Sequence, residues 1–200
     1  MIIGLHGVQR AGKDTVYNLI QSEYPDAIRF AFADKIKESL AALFGISVRE
    51  IDILKREGAM FKVESENYEH SYTWRSFAQR YGTEAHREIF GEDFWVDKVL
   101  PRPNKRGIKS HNNKLWIITD VRFSNEALRI RELGGKIVSL KRPDLQNIDN
   151  HVSENSLNNY FVDYELVNDG SLEQLKERAI KIVEDIMDWF NYLSRYLQCL

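Results

Sequence analysis

The first fifteen residues constrain the fold more than any other stretch of the chain. The apolar run Met1-Ile2-Ile3-Gly4-Leu5 leads into Gly7-Val8-Gln9-Arg10-Ala11-Gly12-Lys13-Asp14-Thr15, and Val16, Leu19 and Ile20 follow at helical spacing. A β-branched run stopping at a glycine, then G-x-x-x-x-G-K, then an amphipathic helix, puts a row of backbone N–H groups at a helix N-terminus. This is the arrangement of a phosphate-binding loop. Gly7 and Gly12 let the backbone come close to the anion, and Lys13 supplies a point charge.

Downstream, strand-like and helix-like patterns alternate, which predicts a parallel sheet flanked by helices. Strands are expected at residues 1–5, 28–32, 115–119, 136–140 and 164–167, and helices over about 12–22, 33–44, 73–90, 93–100, 125–133 and 172–197. The last helix carries Leu175, Ala179, Ile182, Ile186, Trp189 and Leu193 on one face and is expected to cover the sheet. The gap 45–114 is too long for a simple crossover, and 55–72 is polar and weakly periodic. An inserted substrate-binding region is therefore expected there, while the charge-rich stretch 102–114 reads as a solvated connection.

Composition narrows the class of protein. Two hundred residues, 43% hydrophobic and 29% charged, suit one compact soluble domain with room for a small insertion. No apolar run is long enough to span a membrane, and the polar break at His6 and Gln9 argues against a secretory segment, so a cytoplasmic location is expected. Cys199 is the single cysteine, which excludes a disulfide framework and a cysteine metal site. A formal net charge of −2 argues against a general nucleic-acid binder.

The usual hydroxyl directly after the loop lysine is missing: Asp14 stands there and Thr15 follows. Nucleoside monophosphate kinases tend to carry G-K-G-T, and with Asp14 in place of that glycine the segment G-x-x-R-x-G-K-D-T resembles the deoxynucleoside monophosphate kinases of tailed bacteriophages. Further blocks extend the resemblance over nearly the whole chain. The stretch from Arg75 to Glu84 is similar to that family's R-x-x-x-Q-x-x-G-T-[DE], and Phe94-Trp95-Val96 to the aromatic-Trp-Val that follows it. Asp120-Val121-Arg122 with Glu126 is similar to the family's D-x-R and the acidic residue after it. His151-Val152-Ser153-Glu154 resembles a family signature, and Val167-Asn168-Asp169-Gly170-Ser171 resembles the turn bordering the adenine of ATP.

Each block also has a plain chemical reading. Arg75 and Gln79 stand at i and i+4 and share a helix face, so a guanidinium for a phosphate and an amide for a base edge can project together. Without the loop they would read as a surface arginine and a packing glutamine. Trp95 can stack on a base or belong to the core. Asp120, at a strand C-terminus, can hold Mg²⁺ directly or through water, or orient Arg122, while Arg122 can clamp phosphoryl oxygens. The same pair can be a helix cap and a salt bridge. Arg142 is the expected lid-side cation; His151 has no metal-spaced partner, so no zinc role is expected, and Ser153 and Glu154 can cap a short helix.

The resemblance implies a three-layer P-loop NTPase fold, adenylate-kinase-like, with a five-stranded parallel sheet. It implies a single kinase domain over 1–200, a monophosphate-binding insertion at 45–100 and a lid at 141–160. It further implies transfer of the γ-phosphoryl of ATP, with Mg²⁺, to a deoxynucleoside monophosphate. Gly7, Arg10, Ala11, Gly12, Lys13, Asp14, Thr15, Asn168 and Gly170 would hold ATP, and Thr15 with Asp120 the metal. Arg75, Gln79, Gly82, Thr83, Trp95, Asp120, Arg122 and Glu126 would hold the acceptor, and Lys13, Asp14, Arg122 and Arg142 would serve catalysis. Asp14 can accept a proton, orient metal-bound water or cap the helix. Two other functions fit the loop: a P-loop kinase of a phosphorylated non-nucleotide metabolite, and a nucleotide-dependent switch. Most switches place Ser or Thr directly after the lysine, which this chain does not. Relatives suggest a homodimer, yet Trp189, Phe190, Tyr192 and Tyr196 read equally well as intramolecular packing.

Overall fold

Ile2, Ile3 and Leu5 are each only 1% exposed, so the first strand, β1 (Ile2–His6), is covered on both faces, as a central parallel strand must be. The computed structural model describes residues 1–65, 68–103, 114–145, 157 and 161–198. The remaining strands are β2 (Ile28–Phe30), β3 (Met60–Ser65), β4 (Tyr68–Thr73), β5 (Trp116–Val121), β6 (Lys136–Lys141) and β7 (Tyr164–Val167). The helices are α1 (Lys13–Glu23), α2 (Phe32–Phe44), α3 (Val48–Glu57), α4 (Trp74–Gly82), α5 (Glu88–Phe90), α6 (Val96–Val99), α7 (Ser124–Glu132) and α8 (Leu172–Gln198). The chain divides into two compact units, Met1–Phe30 with Arg102–Leu200, and Ala31–Pro101.

In the first unit a five-stranded sheet runs in the order β2-β5-β1-β6-β7 with every neighbour parallel. The five expected strands are these five. Alternation along β1 sends Ile3 and Leu5 into a core shared with Val16, Tyr17 and Ile20 of α1 and Leu175, Ala179, Val183 and Ile186 of α8. On the opposite face Gly4 lies under α7: a Cβ there would come within 2.8 Å of the Ile130, Ile137 and Val121 side chains. Each fully buried aliphatic side chain contributes about 1.5–3 kcal/mol, so this double cover fixes where the C-terminal end of β1 emerges.

Two strand boundaries differ from the sequence expectation by two residues, the other strand ends by one at most. β2 stops at Phe30; Ala31 stays extended as the N-cap of α2, and Phe32, 3% exposed, packs in the first helical turn. β5 continues to Val121, and its pairing with β1 shifts register, from Gly4↔Ile118 to His6↔Val121. Between those pairs one residue of β1, Leu5, opposes two of β5, Thr119 and Asp120, which is a β-bulge at the C-terminal end of the strands, where ligands bind in open α/β sheets.

The second unit holds two elements that periodicity does not announce. α3 starts at a capping box in which Ser47 accepts from the Glu50 amide and Glu50 accepts from the Ser47 amide. β3 and β4 pair antiparallel from Met60↔Thr73 to Ser65↔Tyr68. Their apolar side packs with Leu40, Ala41, Ile51, Trp74 and Ala78, and Phe61 meets Phe77 edge-on at 4.8 Å. The helix expected over 73–90 runs without a break from Trp74 to Phe90, as α4, a π turn at Thr83–Arg87 and α5, with Thr73 as N-cap accepting from the Ser76 amide. The helix expected at 93–100 is the single turn α6.

Candidate phosphate-binding site

β1 delivers residues 7–12 to the head of α1 with the conformations that a phosphate cradle requires. Gly7 has φ 151°, and a Cβ there would lie 2.6 Å from the Leu140 carbonyl; Gly12 has φ 106°. Arg10, with φ 66°, is the one non-glycine in the left-handed region among the described residues. Ala11 is buried and its N–H donates to the Val8 carbonyl at 3.2 Å, closing the loop. Gly12 caps α1 without a side-chain acceptor, so the first-turn amides receive no capping oxygen and the positive end of the helix dipole faces the loop.

Lys13 Nζ donates to the carbonyls of Gly7 at 2.5 Å and Val8 at 2.9 Å, which folds its ammonium back over the loop. Burial, and then the positive charge of Arg122, lower its pKa from 10.5 to about 8, with Asp120 and Asp14 opposing. Arg10, Lys13, Thr15, Arg142, Asn168 and Gly170 line one cleft of about 450 Å³, with Asp14 as its acidic wall residue. Asn168 donates through Nδ2 to the Ala11 carbonyl at 2.9 Å, and its own N–H donates to the Lys141 carbonyl. The expected donor-side residues are thus brought together. Asp14 is exposed and lies 3.5 Å from the Arg29 guanidinium of β2.

At the end of β5 Thr119 and Val121 are buried, 3% and 1% exposed, and Asp120 between them is half-buried, its carboxylate acting on Lys13. Glu126, expected among the acceptor contacts, is 2% exposed, and its Oε2 accepts from the backbone N–H groups of Arg122 at 2.7 Å and Phe123 at 3.1 Å. That carboxylate oxygen caps the start of α7 and fixes the backbone of Arg122, a role beside the contact with the acceptor expected of it. His6, a residue sequence reasoning treated only as a polar break, donates from Nδ1 to the Val121 carbonyl at 2.9 Å. Burial lowers its pKa, helped by Lys13 and Arg122 and opposed by that carbonyl, so the ring is neutral at neutral pH.

Of the expected acceptor-side residues, Arg75, Gln79, Gly82, Thr83 and Trp95 lie in the unit Ala31–Pro101, and Asp120, Arg122 and Glu126 in the other. Arg75 and Gln79 are half-buried one turn apart on α4, and Thr83 opens the π turn. Gly82 is buried, and a Cβ there would meet Ile36 Cδ1 at 2.6 Å, so it serves close packing. Trp95 packs as a core residue: it is 3% exposed, its Nε1–H donates to the Gly82 carbonyl at 2.9 Å, and Phe94 meets it edge-on at 4.9 Å. An indole with one polar atom is stably buried when that atom has a partner, and this one does. His151, Ser153, Glu154, Cys199 and most of the span 141–160 lie outside the described residues. Among the described residues no helix is long and apolar enough to cross a membrane.

Arg10 and Lys13 of the loop and Arg142, the residue after β6, gather where a helix begins, with Arg122, the residue after β5, acting on Lys13, and a polyphosphate is the ligand that such a site fits. A parallel five-stranded sheet with such a loop at the end of its central strand is the architecture of a P-loop kinase. The profile of the deoxynucleotide monophosphate kinase family matches residues 46–179, more than half of the chain. A protein of Acanthamoeba polyphaga mimivirus, provisionally named a deoxynucleotide monophosphate kinase, is 29% identical over 92% of this chain and 97% of its own length. The deoxynucleoside-5′-monophosphate kinase of Escherichia phage T5 is 24% identical over 84% of this chain and 89% of its own. The deoxynucleotide monophosphate kinase of Enterobacteria phage T4 is 23% identical over 87% and 95%. The chain belongs to the deoxynucleotide monophosphate kinase family.

Proposed function

We propose that this kinase transfers the γ-phosphoryl of ATP, with Mg²⁺, to a deoxynucleoside 5′-monophosphate, giving the diphosphate and ADP. The observation that carries the reading is the convergence of Arg10, Lys13 and Arg142 on the cleft at the head of α1. Phosphoryl transfer of this kind needs positioning and charge neutralisation more than covalent help. The loop amides and Lys13 would bind the β- and γ-phosphates, and Arg142 would neutralise the donor from the far wall of the cleft. Arg122 would meet charge building on the equatorial oxygens as the bond to the leaving oxygen lengthens. Asn168, with Gly170, would shape the donor side while holding the loop through Ala11.

Thr15 and Asp120 offer one hydroxyl and one carboxylate, hard oxygen donors that suit Mg²⁺, which takes few protein ligands and shares the rest with water and substrate phosphates. Bound there, the ion would neutralise phosphate charge and polarise the transferring group. Asp14, paired with Arg29, would orient the opening turn of α1. The region 45–100 would bind the acceptor, with Arg75 on its phosphate and Gln79 on its base edge, and residues 141–160 would close over the donor. Calorimetric titration tests both halves. ATP should bind with Mg²⁺ and lose at least tenfold in affinity in Lys13→Ala, while Arg75→Ala should weaken monophosphate binding and leave ATP binding intact. Equal effects of Arg75→Ala on both ligands would refute the division of labour.

A further inference from the structure

His6 lies outside the G-x-x-x-x-G-K segment and is absent from the chemistry described so far. We infer that His6 is a positioning residue for Arg122, fixing the peptide bond from which that guanidinium is presented to the transferring phosphoryl group. The inference rests on the role given to Arg122 above.

The Val121–Arg122 peptide is held at both of its polar atoms by side chains from two different elements. Its carbonyl accepts from His6 Nδ1 at 2.9 Å, and its N–H donates to Glu126 Oε2 at 2.7 Å. A carbonyl can only accept, so the imidazole proton resides on Nδ1 and the tautomer is fixed. The hold falls where the sheet has lost regularity, since between Gly4↔Ile118 and His6↔Val121 one residue of β1 opposes two of β5. A bulge bends its strand and leaves a residue unpaired, so the strand end needs another tie to keep one direction. The imidazole supplies that tie from β1 and the carboxylate supplies it from α7. Without His6 the carbonyl of Val121 would lose its partner at a site where Arg122 and Lys13 already repel, and the arginine would swing toward water.

A double-mutant cycle on kcat tests this, with melting temperatures in parallel. His6→Leu should lower kcat by about tenfold to a hundredfold, the cost of a misplaced reacting geometry, with KM for ATP changed far less. His6→Asn, whose amide N–H stands near the Nδ1 position, should recover most of the loss, and His6→Gln should recover less. In an Arg122→Ala background His6→Leu should add nothing. Multiplying losses, an unchanged kcat in His6→Leu, or a wild-type melting temperature with no recovery in His6→Asn would overturn the inference. If His6→Leu does not fold, the order of Asn above Gln decides alone. Full turnover in Arg122→Ala is a different result: it would refute the role of Arg122 itself.

Discussion

The side-chain amide of Asn168 donates to the carbonyl of Ala11 at 2.9 Å, joining the turn after β7 to the phosphate loop across 157 residues of sequence. The same Nδ2 stands 2.8 Å from where a Cβ on Gly12 would lie, so the loop and this amide are fitted to each other. One hydrogen bond of this kind is worth about 1 kcal/mol, close to fivefold in an equilibrium. Asn168→Ala should therefore raise KM for ATP several-fold with little change in kcat. Asn168→Asp, which keeps the shape and loses the donor, should be worse because it sets an anion beside the phosphates. Steady-state kinetics over an ATP series separates the two.

Gly7→Ala should be more damaging than Gly12→Ala. At Gly7 the new Cβ meets a backbone carbonyl at 2.6 Å, whereas at Gly12 it meets the movable end of Asn168 at 2.8 Å, and both positions have positive φ. Strain of about 1–3 kcal/mol is expected at either site. Thermal melting should show the larger drop for Gly7→Ala, and ATP binding should be lost there outright.

Lys13 gives the site a pH dependence with a definite sign. Its pKa lies near 8 in the free protein rather than at 10.5, and bound phosphate favours the ammonium. ATP affinity should be level below neutrality and fall as pH rises through 8, by up to about tenfold per unit, with protons taken up on binding. Stability without ligand runs the other way: between about 8 and 10.5 the unfolded chain holds this proton more firmly, so the group's contribution to stability grows with pH. Titration calorimetry at pH 8.5 in two buffers of different ionisation heat reads the uptake, and proton release would contradict the assignment.

Trp95 marks where sequence reasoning about the acceptor reached its limit. Its indole N–H has a partner in Gly82, thirteen residues away, and no pattern in the sequence reveals that bond. Trp95→Ala should cost about 3–5 kcal/mol and lower the melting temperature sharply. Trp95→Phe, which keeps most of the ring and loses the N–H bond, should cost less and leave discrimination among monophosphates unchanged. A shift in base preference at unchanged stability would restore the stacking role.

The parallel sheet was legible because its strands are buried on both faces and so appear as apolar runs, as at Ile2-Ile3 and Ile117-Ile118. The loop was legible because Gly7, Gly12 and Lys13 each answer to a backbone or charge requirement at a fixed spacing. α3 escaped notice although its capping box, Ser47 and Glu50, is written in the sequence, because it is ten residues long and its apolar face, Val48, Ile51 and Leu54, is set among charged residues in a polar stretch. The hairpin of β3 and β4 is polar on one side and short, which hides alternation. The register shift that engages His6 with Val121 depends on pairing between strands 115 residues apart, and that is tertiary information.

The central claim is tested most directly by following the phosphoryl group itself. ATP labelled at the γ-position is incubated with Mg²⁺ and each of the deoxynucleoside and ribonucleoside monophosphates in turn, and products are separated for the wild type and for Lys13→Ala. The account predicts label on at least one deoxynucleoside diphosphate, formed by the wild type and not by Lys13→Ala. Label that stays on ATP or appears only as inorganic phosphate across the whole series, with ATP still bound, would contradict it.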